Sequence, residues 1–250
     1  MMQTATLRRK RRTPLRMARA VTAHRRLEVN DKILATLLAV VAGAVNAGGL
    51  FVVAQYTSHM TGYLSQLADN IVLGNMEVVW GAALALASFV GGAAISAMLV
   101  NWARLHRSPQ QYAWPIALQG TCLLGLGLAG LANIAVAHGP LLVILCMVMG
   151  LQNATVSKLS RTRIRTTHVT GLITDTGIEI GRALFGQLLP QSGVRADAAK
   201  FKTLAGLIAA YLFGGIAGAI GFSRSGLAFA LPFAVLLLVL SLPTLLSRRR

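Results

Sequence analysis

A chain of 250 residues that is 55% hydrophobic and 12% charged does not have the composition of a soluble globular domain. Its net charge of +17 would suit a nucleic-acid binder, but the basic residues are confined to gaps between apolar stretches, which excludes nucleic acid and indicates an integral membrane protein. Cys122 and Cys146 sit singly within apolar segments without metal-ligand spacing, so they read as small buried residues, and neither metal nor cofactor is expected.

Residues 1–32 are a basic leader containing Arg8-Arg9-Lys10-Arg11-Arg12, read as a disordered cytoplasmic tail or, over Pro14 to Glu28, as a basic helix lying on anionic lipid. The first span, about 33–54, is long enough to cross a hydrocarbon core of roughly 30 Å. Gly43, Asn46, Gly48 and Gly49 interrupt it and predict a broken helix. The segment that follows, to about Leu73, contains Gln66, Asp69 and Asn70. It is too short and polar to face lipid across a bilayer, so it is interfacial, re-entrant or buried in protein. The second span, about 78–100, carries Trp80 and Trp102 about 33 Å apart, the separation of two aromatic belts. Ser88, Gly92 and Ser96 within it offer a smooth strip for another helix.

The third span, about 113–137, ends at the turn His138-Gly139-Pro140. The fourth begins at Leu141 and is cleanly apolar only to Leu151; Gln152, Asn153, Thr155 and Ser157 then predict an early break. A basic loop over 158–165 leads to an amphipathic helix reaching about Phe185 that carries Asp175, Glu179 and Arg182. Residues 187–202 read as a polar connection. The fifth span, about 203–222, has Ala210, Gly214 and Gly218 at packing intervals, and the sixth, about 227–246, contains Pro232 and Pro243.

Two words occur twice in the same order. Gly43-Ala44-Val45-Asn46-Ala47 precedes His59-Met60-Thr61-Gly62, and Gly150-Leu151-Gln152-Asn153-Ala154 precedes His168-Val169-Thr170-Gly171. Two matched words at nearly the same spacing indicate a duplicated plan, with halves at 33–137 and 138–250. Arg224 alone among the Lys and Arg residues falls on the opposite side from the rest, so the positive-inside rule puts both termini in the cytoplasm. Three spans per half then turn the second half over relative to the first. The expected fold is all-α and integral to the membrane: six transmembrane helices as two inverted three-helix repeats. Each repeat has a broken first helix and an interfacial or re-entrant helix after its His-X-Thr-Gly.

Such a layout builds a shared polar site near the midplane in many secondary transporters. Asn46 and Asn153 bring a donor and an acceptor each, able either to bind a ligand or to join two helices. Thr61 and Thr170 can cap the helices that follow, and Gly62 and Gly171 allow close approach of backbone or ligand. Histidine can gain a proton near neutral pH, which suits His59 and His168 to anion binding or proton coupling; interfacial packing is the plainer alternative. Asp175 and Glu179 share one helix face and read as a proton- or ion-coupling pair or as a solvated surface. No HExxH, Gly-x-Ser-x-Gly or phosphate-loop motif occurs, so enzymatic activity is not expected.

Val45-Asn46-Ala47-Gly48-Gly49, Tyr56 to Gly62, Ala68 to Gly74, Gly150 to Ala154 and Thr166 to Gly171 together resemble the YoaK-like family of bacterial membrane proteins, also called domain of unknown function 1275. The resemblance covers roughly residues 33–246. It implies a multi-span protein of the bacterial inner membrane and carries no activity or catalytic residues. The preferred expectation is a small permease with a small substrate, an anion among the candidates. A membrane scaffold or sensor that binds a lipid or partner protein is the other reading, and the sequence leaves a homo-oligomer open.

Overall fold

A computed structural model describes residues 28–106, 111–159 and 169–246, which are helical with no strand among them. Eight α-helices follow in order: α1 (Glu28–Val53), α2 (Met60–Leu73), α3 (Met76–Leu105), α4 (Ala113–Leu131), α5 (His138–Leu159), α6 (Val169–Leu188), α7 (Ala198–Ser225) and α8 (Leu231–Leu245). Among the described residues, five stretches are long and apolar enough to cross a membrane: Lys32–Val53, Met76–Leu105, Ala113–Leu131, His138–Lys158 and Ala198–Leu245. The last would be about 72 Å long if straight. A 3-10 turn at Gly226–Ala230, entered through Gly226 at φ +53°, divides it into α7 and α8.

The core lies between α1 and α5. Of their apolar windows 56% and 61% are buried, against 22% for α3, so α1 and α5 are central and α3 peripheral. Leu34, Leu38, Val41 and Val45 of α1 join Leu142, Leu145 and Met149 of α5 in one buried cluster. Val90, Met98, Leu212, Phe213, Val235 and Val239 are exposed on the outer helices, where water would not tolerate so continuous an apolar surface and hydrocarbon would.

Neither α1 nor α5 is broken. α1 runs through Gly43, Asn46, Gly48 and Gly49, and α5 continues past Gln152 and Asn153 to Leu159. The expected interruptions are corrected by helix contact. A Cβ on Gly43 would lie 2.0 Å from the Tyr211 carbonyl oxygen, and one on Gly150 2.0 Å from that of Phe89. Glycines also stand on the facing helices, where a Cβ on Gly214 would lie 2.0 Å from the Val40 oxygen and one on Gly92 2.1 Å from that of Met147. These glycines let backbones touch, which their intrinsic flexibility only appeared to reserve for breaks.

The same contacts fix helix directions. Val40 meets Gly214, Ala44 meets Gly218 and Gly48 meets Phe222, so α1 and α7 run parallel. Gly92 meets Met147, while the Ser96 and Thr155 hydroxyls hydrogen-bond at 2.9 Å, so α3 and α5 are also parallel. α4 and α8 are antiparallel, through Gly120 against Leu238 and Gly127 against Leu231. α1 and α5 are antiparallel too: the Gln152 amide donates to the Leu38 carbonyl, and a His138 ring nitrogen lies 2.9 Å from the Val53 carbonyl.

Three boundaries also differ from expectation. α3 extends to Leu105, and α4 stops at Leu131 before Asn133 turns the chain at φ +52°. α7 starts at Ala198 because the Asp197 side chain accepts from the Lys200 N–H at 2.9 Å, which makes the end of the expected polar connection a helical turn.

Candidate functional site

After α1, Ala54 at φ +52° turns the chain back along the helix it has just left. The buried Thr57 hydroxyl donates to the Val45 carbonyl at 3.5 Å. Asn46 Oδ1 accepts from the Ser58 backbone N–H at 2.9 Å and from the Ser58 hydroxyl at 2.8 Å. Asn46 therefore holds this returning loop from inside an intact helix. Because Asn46 lies seven residues before the end of α1, α2 starts about 10 Å back along it, level with the helix interior.

His59 is the N-cap residue of α2, and no side chain caps that end. Thr61 is already the second helical residue of α2, so its capping role is not realised, whereas the residues before Val169 at the start of α6 lie outside the described residues. The His59 ring folds across Gly62, where a Cβ would come 2.1 Å from His59 Cδ2. This gives the glycine of His-X-Thr-Gly a physical purpose: it vacates the space that the imidazole occupies. Uncapped first-turn N–H groups at α2 carry the partial positive charge of a helix N-terminus.

A cavity of about 530 Å³ lies where these pieces meet. Asn46 of α1 borders it with Tyr56, Ser58, His59 and Thr61 from the loop and α2. Phe89 of α3, Asn153 of α5, Val169 and Thr170 of α6, and Tyr211 of α7 complete the walls. The two asparagines and the two threonines singled out in the repeated words thus share one cavity. His168 lies outside the described residues, although the next two residues line the wall. Gly62 and Gly171 are not in the lining; Gly62 acts through His59, and Gly171 is exposed in the first turn of α6.

No Lys, Arg, Asp or Glu lines the cavity among the described residues, and its polar lining groups come from asparagine, hydroxyl and imidazole side chains. Tyr211 borders the cavity with Asn46 and Ser58. Asn153 has no hydrogen-bond partner among the described residues, so its amide is open to a ligand. Sequence reasoning missed Tyr56, Ser58, Phe89 and Tyr211. A signal existed for two of them: Phe89 and Tyr211 each stand three residues before a packing glycine, Gly92 and Gly214.

Asp175 and Glu179 lie farther along α6 and do not line the cavity. Glu179 is buried and accepts from the Asp197 backbone N–H at 2.9 Å, from Arg182 at 3.1 Å and from Lys200 at 3.2 Å. The Asp197 N–H above all, with Lys200 and Arg182 adding to it against the opposing effect of burial, holds the Glu179 carboxyl below the usual range. Glu179 thereby clasps α6 to the start of α7. Asp175 is half-buried on the same helix.

Residues 34–242 match a family described as protein of unknown function, DUF1275. No curated protein and no solved structure matches the chain. The family match spans the helical part and leaves the basic leader outside it.

Proposed function

The chain belongs to the DUF1275 family of membrane-type helical proteins, and from the geometry of its cavity we propose a small-molecule permease of the bacterial cytoplasmic membrane. The single observation that carries the reading is that both repeated motifs border the same cavity. In this reading α1, α3, α4, α5, α7 and α8 make six crossings, both termini are cytoplasmic, and α1–α4 and α5–α8 are inverted halves. The antiparallel run of α1 and α5 supports the inversion. So does the recurrence of one contact in both halves, Gly43 on Tyr211 with Val40 on Gly214, and Gly150 on Phe89 with Met147 on Gly92.

The short helices fit a re-entrant role. α2 has 14 residues, about 21 Å, and Phe89 stands about 20 Å from the start of α3. α2 and the first half of α3 therefore cover the same depth, from the cavity outward. The uncapped N-terminus of α2, facing a cavity lined by no Lys, Arg, Asp or Glu among the described residues, supplies N–H donors and partial positive charge, a setting that favours a small anion. At about 530 Å³ the cavity has the size of a small-ligand site. In this reading Glu179, held ionised by Lys200 and Arg182, fixes α6 against α7 and so positions the first turn of α6 at the cavity wall, while Asp175 on the same helix is left as the carboxylate for ion coupling.

The test is uptake by the purified full-length protein in lipid vesicles over a panel of small anions and amino acids. We expect accumulation of at least one anion, reduced about tenfold or more by His59→Ala and by Asn153→Ala, in line with loss of one or two ligand hydrogen bonds. Accumulation no greater than in protein-free vesicles, or transport indifferent to both substitutions, overturns the permease.

A further inference from the structure

A second cavity, of about 460 Å³, opens between the beginnings of α1 and α7. Lys32 reaches it from α1 and Lys202 from α7. Both are exposed, and neither makes an ion pair among the described residues, whereas Lys200 is tied to Glu179 at 3.2 Å. Asp197, the acidic residue nearest in sequence to Lys202, is engaged in capping α7. Two cations from parallel helices therefore line one recess. The recess has room because Ala35, Ala199 and Gly206 form part of its lining, and a Cβ on Gly206 would meet nothing within 4 Å.

The depth of this recess identifies its occupant. Lys32 opens one apolar stretch and Ala198 opens another, so the cavity lies where hydrocarbon gives way to headgroups. Ala35, Ala199 and Leu207 give the recess an apolar wall beside the two lysines, and Ile33 and Phe201, next to the lysines in sequence, expose 41% and 38% of their surface on the same helix ends. A free ion uses only the lysines; a lipid uses the lysines and the apolar surface. We propose that this cleft is a specific site for the phosphate group of an anionic membrane lipid, held between Lys32 and Lys202. The lipid binds across the α1–α7 joint and braces the helix pair that carries Asn46 and Tyr211, whatever the central cavity transports.

The experiment is lipid titration of the full-length protein in detergent, read by native mass spectrometry. Phosphatidylglycerol is compared with phosphatidylcholine, for the parent, for the Lys32→Gln/Lys202→Gln double variant, and for a leader variant with Arg8, Arg9, Lys10, Arg11 and Arg12 all changed to Gln. Phosphatidylglycerol should bind in preference, with occupancy falling about fivefold or more in the cleft variant and unchanged in the leader variant. The Lys32→Arg/Lys202→Arg variant should restore binding, and a parent-like thermal midpoint shows that the cleft variant remains folded. Displacement by inorganic phosphate assigns recognition to the phosphate group alone; no displacement assigns it to the lipid as a whole, and either outcome keeps the site. Equal binding of both lipids, or loss only in the leader variant, overturns it.

Discussion

His59 owes its position at the cavity to Gly62, whose missing Cβ is the room the imidazole fills. Gly62→Ala should therefore imitate His59→Ala in transport while leaving the fold intact, because the ring can swing away and alanine is the better helix former by roughly 1 kcal/mol. Transport and thermal unfolding measured on the same samples check this; a variant that unfolds early while its transport per folded molecule is normal contradicts it. Asn46 does a different task, since its Oδ1 holds the Ser58 N–H and hydroxyl. Asn46→Ala strands a part-buried donor and should lower stability by about 1–3 kcal/mol. Asn46→Asp keeps the acceptor and should preserve the loop while placing a negative charge at the cavity wall, so it should abolish anion uptake with much less loss of stability.

Between elements, glycines and one carboxylate do the joining. Gly43→Ala and Gly150→Ala each put a Cβ 2.0 Å from a carbonyl oxygen of the facing helix, so each should destabilise by about 1–3 kcal/mol as backbones are forced apart. Gly177→Ala on α6 meets nothing within 4 Å and should be neutral or stabilising. Thermal unfolding in detergent separates the two groups, and equal effects would mean the close approaches do not hold the bundle. The Glu179 clasp sets a pH dependence. Its folded pKa lies below the ordinary value of 4.5, so its contribution is fully present above that value and is lost as pH falls through the lower folded one. The stability of the parent relative to Glu179→Gln should be constant from pH 8 to about 5 and converge below about 4. A difference that instead fades near neutral pH would show a carboxyl that is not held ionised.

Across the whole molecule, the proposed inversion of the halves would put the turn after α2 and the turn after α6 on opposite faces of the membrane. With Cys122 and Cys146 replaced by alanine, single cysteines at Asn75 and Gln191 should react with a membrane-impermeant maleimide from the outside and from the cytoplasmic side respectively. Labelling of both from one face removes the inverted arrangement and the paired-motif permease with it. α1 packs on α7 and α5 on α3, so the first helix of each proposed half lies against the second span of the other, and the cavity is lined from both.

Much of this was legible in the chain. Apolar length announced the membrane helices, because a hydrocarbon core of fixed thickness demands a run of fixed length, and repetition marked Asn46, His59, Thr61, Asn153, His168 and Thr170 as a set, of which all but His168, outside the described residues, border one cavity. What sequence could not tell was why the glycines are there. Gly43 and Gly150 look the same whether a helix breaks or another backbone lies against it, and the answer depends on Tyr211 and Phe89, more than sixty residues away in one direction or the other. The same holds for Glu179, whose spacing from Asp175 suggested a pair while its actual partners, Lys200 and the Asp197 N–H, come from the next helix. Local pattern sets how far each helix runs and which of its faces avoids water; only assembly decides which helix supplies the opposing surface, and with it whether a polar residue meets a ligand, a loop or a counter-charge.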